Sequence, residues 1–485
     1  MKACLRKVIK LGVLIVSVVL ITVLAVRIYD VHGGPSLQLW HTHVPHEMPH
    51  KEILKADWSA YLAAENAVFD EVRTEVSEKL DAETRVPGNR YYQNSPIYPP
   101  HFKQDWNRSF LLEPQGAAKG AVVLLHGLTD SPYSLRHIAY LYQQRGFVVV
   151  AIRLPGHGTV PAGLTDVEWE DWLAATHLAV KEARRRVPAP MPLQIVGYSN
   201  GGALALKYTL ETLDDPQLAR PDRLVLLAPM IGVTELARFA GVFGWPKIFP
   251  AFAKAAWLDI VPEFNPFKYN SFPVNAASQS SLLTRNLQAH IIREEQRLQQ
   301  LPPILTFQSI VDYTVSTPSV VYSLYARLPD NGSELVLFDL NRYIKFGPLL
   351  RSGNNMQADR LLPAAPRNFR STVITNAGSD TRDVKEHSTA ARSVNEEKRA
   401  LGLSFPADIF SLSHLALPFP LSDPLYGTQP DNSDNFGVNL GAMAIRGERG
   451  ALIVSQDALT RLTSNPFFPY MLERIDEGLA RSTRP

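Results

Sequence analysis

Residues 197–201 read Gly-Tyr-Ser-Asn-Gly. A Ser with a Gly two positions away on each side can sit at the apex of a sharp turn, because side chains at the flanking positions would collide as the chain doubles back. The apolar run Leu193–Gly197 leads into this turn, and a helical pattern over Gly201–Leu213 leads out of it. A strand, a tight turn and a helix with Ser at the top expose the hydroxyl above a sheet edge, which is where a nucleophile belongs. The alternative is a plain strand-to-helix turn with an incidental Ser.

A serine hydroxyl attacks a carbonyl only if a base takes its proton, and the base needs an acid to orient it. For a nucleophile on a strand-to-helix turn the chain order is Ser, acid, His. Two histidines follow the later strands, His387 and His414. His387 lies in the polar run 380–392 and reads as solvated. His414 follows the short run Ile409–Ser413, which is strand-like, and a catalytic His is expected on a loop just past a strand. Asp312 ends the strand pattern Ile304–Val311, and Asp339, ending the next one, is the alternative acid. The assignment is therefore Ser199 as nucleophile, His414 as base and Asp312 as acid.

The tetrahedral oxyanion needs two N–H donors. One is the N–H of Asn200, just after the nucleophile. The other comes from the loop His126-Gly127-Leu128-Thr129-Asp130, where Gly127 lets the backbone approach the substrate and Leu128 supplies the donor. His126 and His157 lie upstream of Ser199 and read as loop braces.

The elements that must position these groups alternate. Strand patterns fall at Arg108–Glu113, Ala121–Leu125, Phe147–Ile152, Leu193–Gly197, Arg223–Ala228, Ile304–Val311 and Glu334–Asp339. Helical patterns fall at Tyr133–Arg145, Val167–Val187 and Gly201–Leu213. Apolar strands separated by helices predict an α/β fold, with a mostly parallel sheet covered by helices on both faces.

The segments LLHGLTDSPYS at 124–134, RLPGHGT at 153–159 and GYSNGG at 197–202, together with Asp312 and His414, resemble the α/β-hydrolase superfamily. The nearest branch is the serine aminopeptidase-like group, which includes bacterial monoacylglycerol lipases and carboxylesterases. RLPGHGT is the piece most particular to that branch. The resemblance runs over about residues 105–430. It implies the α/β-hydrolase fold, a Ser-His-Asp triad, no cofactor and no metal, and a cap inserted after Arg223–Ala228. Residues 231–301 fit that cap. Ten aromatics crowd residues 239–272, from Phe239 to Phe272, and three or four of them are expected to line an acyl pocket. Members of the group usually keep the acid and the His much closer in sequence than Asp312 and His414, so residues 343–407 read as an extra excursion, with a possible strand at Ser371–Thr375.

Outside that core, Leu11–Val26 carries no charge and follows Lys2, Arg6, Lys7 and Lys10. It predicts an N-terminal membrane anchor over residues 1–30, spanning the inner (plasma) membrane once, with the catalytic domain on the periplasmic, extracytoplasmic side. Residues 31–105 read as a juxtamembrane linker and a helix over 51–83. His41, His43, His46 and His50 fall in this linker without a standard metal-ligand spacing. The hydrolase domain then runs over 106–485.

Across 485 residues, 49 Lys plus Arg balance 47 Asp plus Glu, so no basic excess points to nucleic acid. The single Cys4 excludes an intramolecular disulfide. The expected partner is a small-molecule or lipid ester, cleaved by a membrane-anchored serine hydrolase acting on short- or medium-chain acyl esters or monoacylglycerols. A peptidase of the same fold is one rival. It would need an acidic cluster for a substrate amine, and Glu235, Asp259 and Glu263 are scattered. A non-catalytic, membrane-tethered interaction module is the other. Nothing in the sequence sets the oligomeric state.

Overall fold

The computed structural model describes residues 35–232, 250–341, 358–442 and 462–482, apart from positions 380, 408 and 410, together with scattered positions between 10 and 22. Its centre is a ten-stranded sheet. The strands are β1 (Phe110–Leu112), β2 (Gly120–Leu125), β3 (Phe147–Ile152), β4 (Leu193–Tyr198) and β5 (Arg223–Leu227). After a small ribbon of β6 (Trp257–Asp259) and β7 (Phe272–Pro273) come β8 (Ile304–Ser309), β9 (Glu334–Asp339), β10 (Arg370–Asn376), β11 (Asp383–Thr389) and β12 (Glu396–Ser404). The order across the main sheet is β1-β3-β2-β4-β5-β8-β9-β10-β11-β12. From β3 to β10 all pairings are parallel, whereas β1, β11 and β12 run antiparallel to their neighbours.

β2, β3, β4 and β8 are buried at every position. That is the pattern of parallel strands covered on both faces, and it explains their Val, Ile and Leu content. The helices are α1 (Trp58–Val72), α2 (Arg136–Gln144), α3 (Trp169–Arg186), α4 (Asn200–Asp214), α5 (Val274–Arg293) and α6 (Phe468–Ser482). α3 and α4 pack on each other and over β2–β4, while α2 packs on β3 and meets α6.

The excursion is an extension of the sheet. β10 follows β9 in parallel, and β11 and β12 add two antiparallel strands beyond it. The Ser371–Thr375 pattern is the middle of β10. The two strands beyond it, DVKEHST and EEKRALGLS, are rich in charged and polar residues and carry no apolar run to betray them.

Residues 35–106 pack onto the body. Trp58 and Tyr61 of α1, with Ile53 and Trp106, join the main core, while Trp40, Val72, Val76 and Tyr91 form a second cluster with Val160 and Ala162. The helix expected over 51–83 is divided: a one-turn helix at His50–Ile53, then α1, capped by Asp57, whose carboxylate accepts from Ala60 N–H, and then a π-turn at Arg73–Ser77. Each His of this stretch is paired within the protein. His41 meets Ser271 Oγ (3.0 Å), His43 and His46 meet Glu71 (2.9 Å each), and His50 meets Asp171 (3.2 Å).

The expectation of a single-pass anchor and an extracytoplasmic catalytic domain is corrected. Among the described residues no helix is long and apolar enough to cross a membrane. A span needs about 20 apolar residues in one helix, and the uncharged run Leu11–Val26 is shorter than that. Most of that run lies outside the described residues.

Candidate active site

Ser199 joins β4 to α4 with φ 53° and ψ −113°, a left-handed conformation costly for a side-chain-bearing residue. The surroundings leave it no alternative. Its N–H donates to Leu227 O (2.9 Å), and its carbonyl accepts from Gly202 N–H and Met230 N–H (3.0 Å each). A Cβ on Gly201 would stand 2.0 Å from Leu125 O, and one on Gly197 would stand 2.4 Å from Gly201 O. Both glycines are therefore required by backbone that cannot give way.

The loop after β2 lies against this turn. A Cβ on Gly127 would be 3.4 Å from Ser199 Cβ and 3.2 Å from the Tyr198 ring. Asn200 opens α4, so its N–H is one that a helix start leaves without an intrahelical partner. Leu128 follows Gly127, and Thr129 is held at φ 60°. His126 and His157 brace the loops, as their upstream positions suggested. His126 Nδ1 faces Gly127 O (2.9 Å) while Nε2 accepts from Leu154 N–H (3.0 Å), a pattern only a neutral ring can make. Burial, with His157 beside it, holds the His126 ring well below the ordinary imidazole range. Burial likewise lowers His157 to about 3.

Asp312 follows β8. Its Oδ1 accepts from Thr314 N–H (2.8 Å) and Val315 N–H (2.9 Å). Its Oδ2 accepts from Gln308 Nε2 (3.1 Å) and meets His414 Nδ1 at 2.8 Å. A carboxylate accepts only, so Nδ1 of His414 carries the proton and Nε2 is the basic nitrogen. Tyr198, the residue before Ser199, donates its hydroxyl to His414 O (3.2 Å), and the two rings lie 5.3 Å apart. The structure thus brings His414 to both Asp312 and the Ser199 turn.

The two alternatives lie elsewhere. Asp339 ends β9, where its Oδ2 accepts from Ala358 N–H (3.1 Å). His387 stands on β11 with Glu396 at 3.2 Å. The described residues of the run Ile409–Ser413 form no strand, and the segment carrying His414 is irregular. Side chains hold it instead. Ser413 Oγ donates to Leu462 O (2.7 Å). Further on, the buried Asp423 meets Arg136 (2.8 Å), His137 (2.9 Å) and the Tyr133 hydroxyl (3.0 Å) around α2. Burial works to raise the Asp423 carboxyl, but Arg136 and His137 keep it well below the usual carboxylate range.

Sequence reasoning missed Tyr198 and Gln308. Tyr198 is the variable position inside the Gly-x-Ser-x-Gly pattern, and Gln308 is a polar residue inside an apolar strand, which is the signal that could have found it. Of the ten aromatics between 239 and 272, those at 239–249 lie outside the described residues. Trp257, Phe267 and Tyr269 are packed: Trp257 on the His41 ring and Phe267 on Tyr133. Among the described residues one cluster has metal-like spacing, Asp214, His290 and Glu294, and its carboxylates are already paired with Arg293 and Arg297.

A family model described as serine aminopeptidase, S33, matches residues 116–312, which include Leu128, Ser199, Asn200 and Asp312 and stop short of His414. Its span takes in the parallel strands β2–β5 and β8 and the Ser199 turn between β4 and α4. The chain carries the α/β-hydrolase fold. A thermostable monoacylglycerol lipase from Bacillus sp. (strain H-257) is 32% identical over 139 residues, which is 27% of this chain and 54% of that protein. The chain thus spans about half the length of the curated relative it matches. Two solved structures are also similar. A monoglyceride lipase variant from Saccharomyces cerevisiae is 13% identical, over 47% of this chain and 81% of that one, with a TM-score of 0.38. A thermostable carboxyl esterase from Bacillus coagulans is 17% identical, over 49% and 87%, with a TM-score of 0.35.

Proposed function

We propose that this chain is a serine hydrolase that cleaves carboxylic esters, either short- to medium-chain acyl esters or monoacylglycerol-like lipids, within a hydrolase domain at 106–485 capped by residues 231–301. The observation that carries the proposal is the 2.8 Å contact between His414 Nδ1 and Asp312 Oδ2 beside the Ser199 turn. Ser199 Oγ attacks the ester carbonyl while His414 Nε2 takes its proton. The N–H groups of Leu128 and Asn200 hold the oxyanion, and Asp312 stabilises the imidazolium. Collapse expels the alcohol, which receives the proton from His414. Water then attacks the acyl-enzyme by the same route and releases the acid. The monoacylglycerol lipase relative supports the lipid-ester class of substrate.

A peptidase would need a carboxylate for the substrate's amine. Glu263 is buried, and its two oxygens accept from Asn270 N–H (3.0 Å) and Ser271 N–H (2.8 Å). Glu235 lies outside the described residues. The test is a fluorophosphonate probe together with p-nitrophenyl butyrate. Wild type labels and hydrolyses, and Ser199→Ala does neither. Labelling that survives Ser199→Ala overturns the proposal.

A further inference from the structure

The loop that carries Leu128 is held from outside its own strand. Three consecutive residues between β6 and β7 reach it. The Phe267 ring stacks on Tyr133 (centroids 4.2 Å apart, 13° between planes), Lys268 Nζ donates to Leu128 O (3.4 Å), and Tyr269 N–H donates to Thr129 O (2.7 Å). The Tyr269 hydroxyl then accepts from Thr159 N–H (2.8 Å) and donates to Gly156 O (3.0 Å), tying the loop after β3 to the same three residues. The far side of this strap is anchored by the N-terminal segment. Arg90, 2% exposed, donates from its backbone to Glu263 O (3.0 Å) and from its guanidinium to Asn265 O (3.1 Å). Asn107 Nδ2 donates to Pro266 O (3.0 Å).

Thr129 at φ 60° is strained, and such a conformation persists only where neighbours over-determine it. Lys268 and Tyr269 supply that determination, since they hold the carbonyls on either side of Thr129 N. We propose that Lys268 is a positioning residue for the oxyanion hole: as part of the Phe267–Tyr269 strap it fixes the Leu128–Thr129 backbone so that the Leu128 N–H meets the developing oxyanion. This rests on the ester-hydrolase reading above. Burial lowers the Lys268 ammonium from its ordinary range while the buried Asp130 acts to restore it. The ammonium is partly withdrawn from water, where a bond to a carbonyl counts for more than on an open surface.

An oxyanion donor that is misplaced weakens the transition state and leaves the ground state alone. In the full chain, Lys268→Met should therefore lower kcat by about ten- to a hundredfold, with KM within about twofold, after normalising to sites titrated by fluorophosphonate. Binding of a boronic acid transition-state analogue should weaken by the same factor, and Lys268→Arg should recover most of both losses. A purely structural role would reduce the number of titratable sites and leave kcat per site unchanged. Should Lys268→Met fail to fold, Lys268→Gln, closer in size and polarity, decides by the same assays. Unchanged kcat per site, or a rise in KM alone, overturns the strap in a labelled enzyme. A wild-type protein that takes no fluorophosphonate overturns the ester-hydrolase reading and the strap with it.

Discussion

The Ser199 turn and the N-terminal segment 35–105 are both held firmly against the sheet, by opposite means. The turn is held by main chain: backbone bonds at Ser199 and two glycines whose missing side chains make room for carbonyls. The segment is held by side chains that reach far along the sequence. Arg153, 1% exposed, receives Glu47 in a bidentate pair (2.7 and 2.9 Å) and Glu65 (3.2 Å), while Tyr61 donates to its carbonyl (2.6 Å). Glu47 also accepts from Gly156 N–H (2.8 Å), so the segment grips the loop that His157 occupies. A backbone device writes itself into adjacent residues. A long-range ion-pair device leaves single charged residues that look like any others.

The largest expected effect separates the two regions. Ser199→Ala should cut ester hydrolysis by more than about a thousandfold and leave the denaturation midpoint unchanged, because the hydroxyl does no packing work. His414→Ala should cost a comparable factor, since triad members act as a unit. His387→Ala, on β11, should leave turnover per titrated site unchanged. Steady-state rates beside a urea titration of each variant check all three. If His387→Ala silences the enzyme and His414→Ala does not, the assignment of the base fails.

Arg153→Met should do the reverse. It strands Glu47 and Glu65, and breaking a buried ion pair from one side costs about 3–5 kcal/mol. The urea midpoint should fall while kcat per titrated site stays within a few-fold. Adding Glu47→Gln to Arg153→Met should cost less than the sum of the single changes, since both remove the same contact. Additive losses would show that the segment is held by something other than this network.

This contrast also sets what could be read from the sequence. The strands β2–β5, β8 and β9 and the turn at Ser199 follow from local patterns, apolar runs and glycine spacing, whereas an acid at a strand end offered Asp312 and Asp339 alike. His414 was preferred to His387 for the strand-like run before it, yet the described residues of that run form no strand, and Ser413 and Asp423 hold the segment with side-chain bonds instead. The β10–β12 extension falls between Asp312 and His414, which stand 102 positions apart, and its polar outer strands hid it. The strap at 267–269 was visible only as aromatic residues, which gave no hint of the carbonyls that its backbone and Lys268 engage.

The smallest expected effect is a pH slope, and it samples both regions at once. His157 belongs to the loop beside the site and His41 to the N-terminal segment. Burial lowers His157 to about 3 and His41 to about 4. An unfolded chain takes up a proton on each ring near pH 6.5, while the folded chain keeps both rings neutral to lower pH. The stability each neutral ring contributes is therefore complete above about pH 6.5 and is lost progressively as pH falls, down to about 4 for His41 and about 3 for His157. Within that window each ring steepens the decline by at most about 1.4 kcal/mol per pH unit. Carboxyls such as Glu65, which burial pushes up, act with the opposite sign, so the difference between wild type and variant isolates the histidine. His157→Asn and His41→Gln should each lose stability at pH 8, and that deficit should shrink as the pH is lowered towards 4.5. Urea titrations at half-unit pH steps measure it. A deficit that stays constant across the series would mean that the ring titrates alike in the folded and the unfolded chain, and the neutral-brace assignment would fall for that residue.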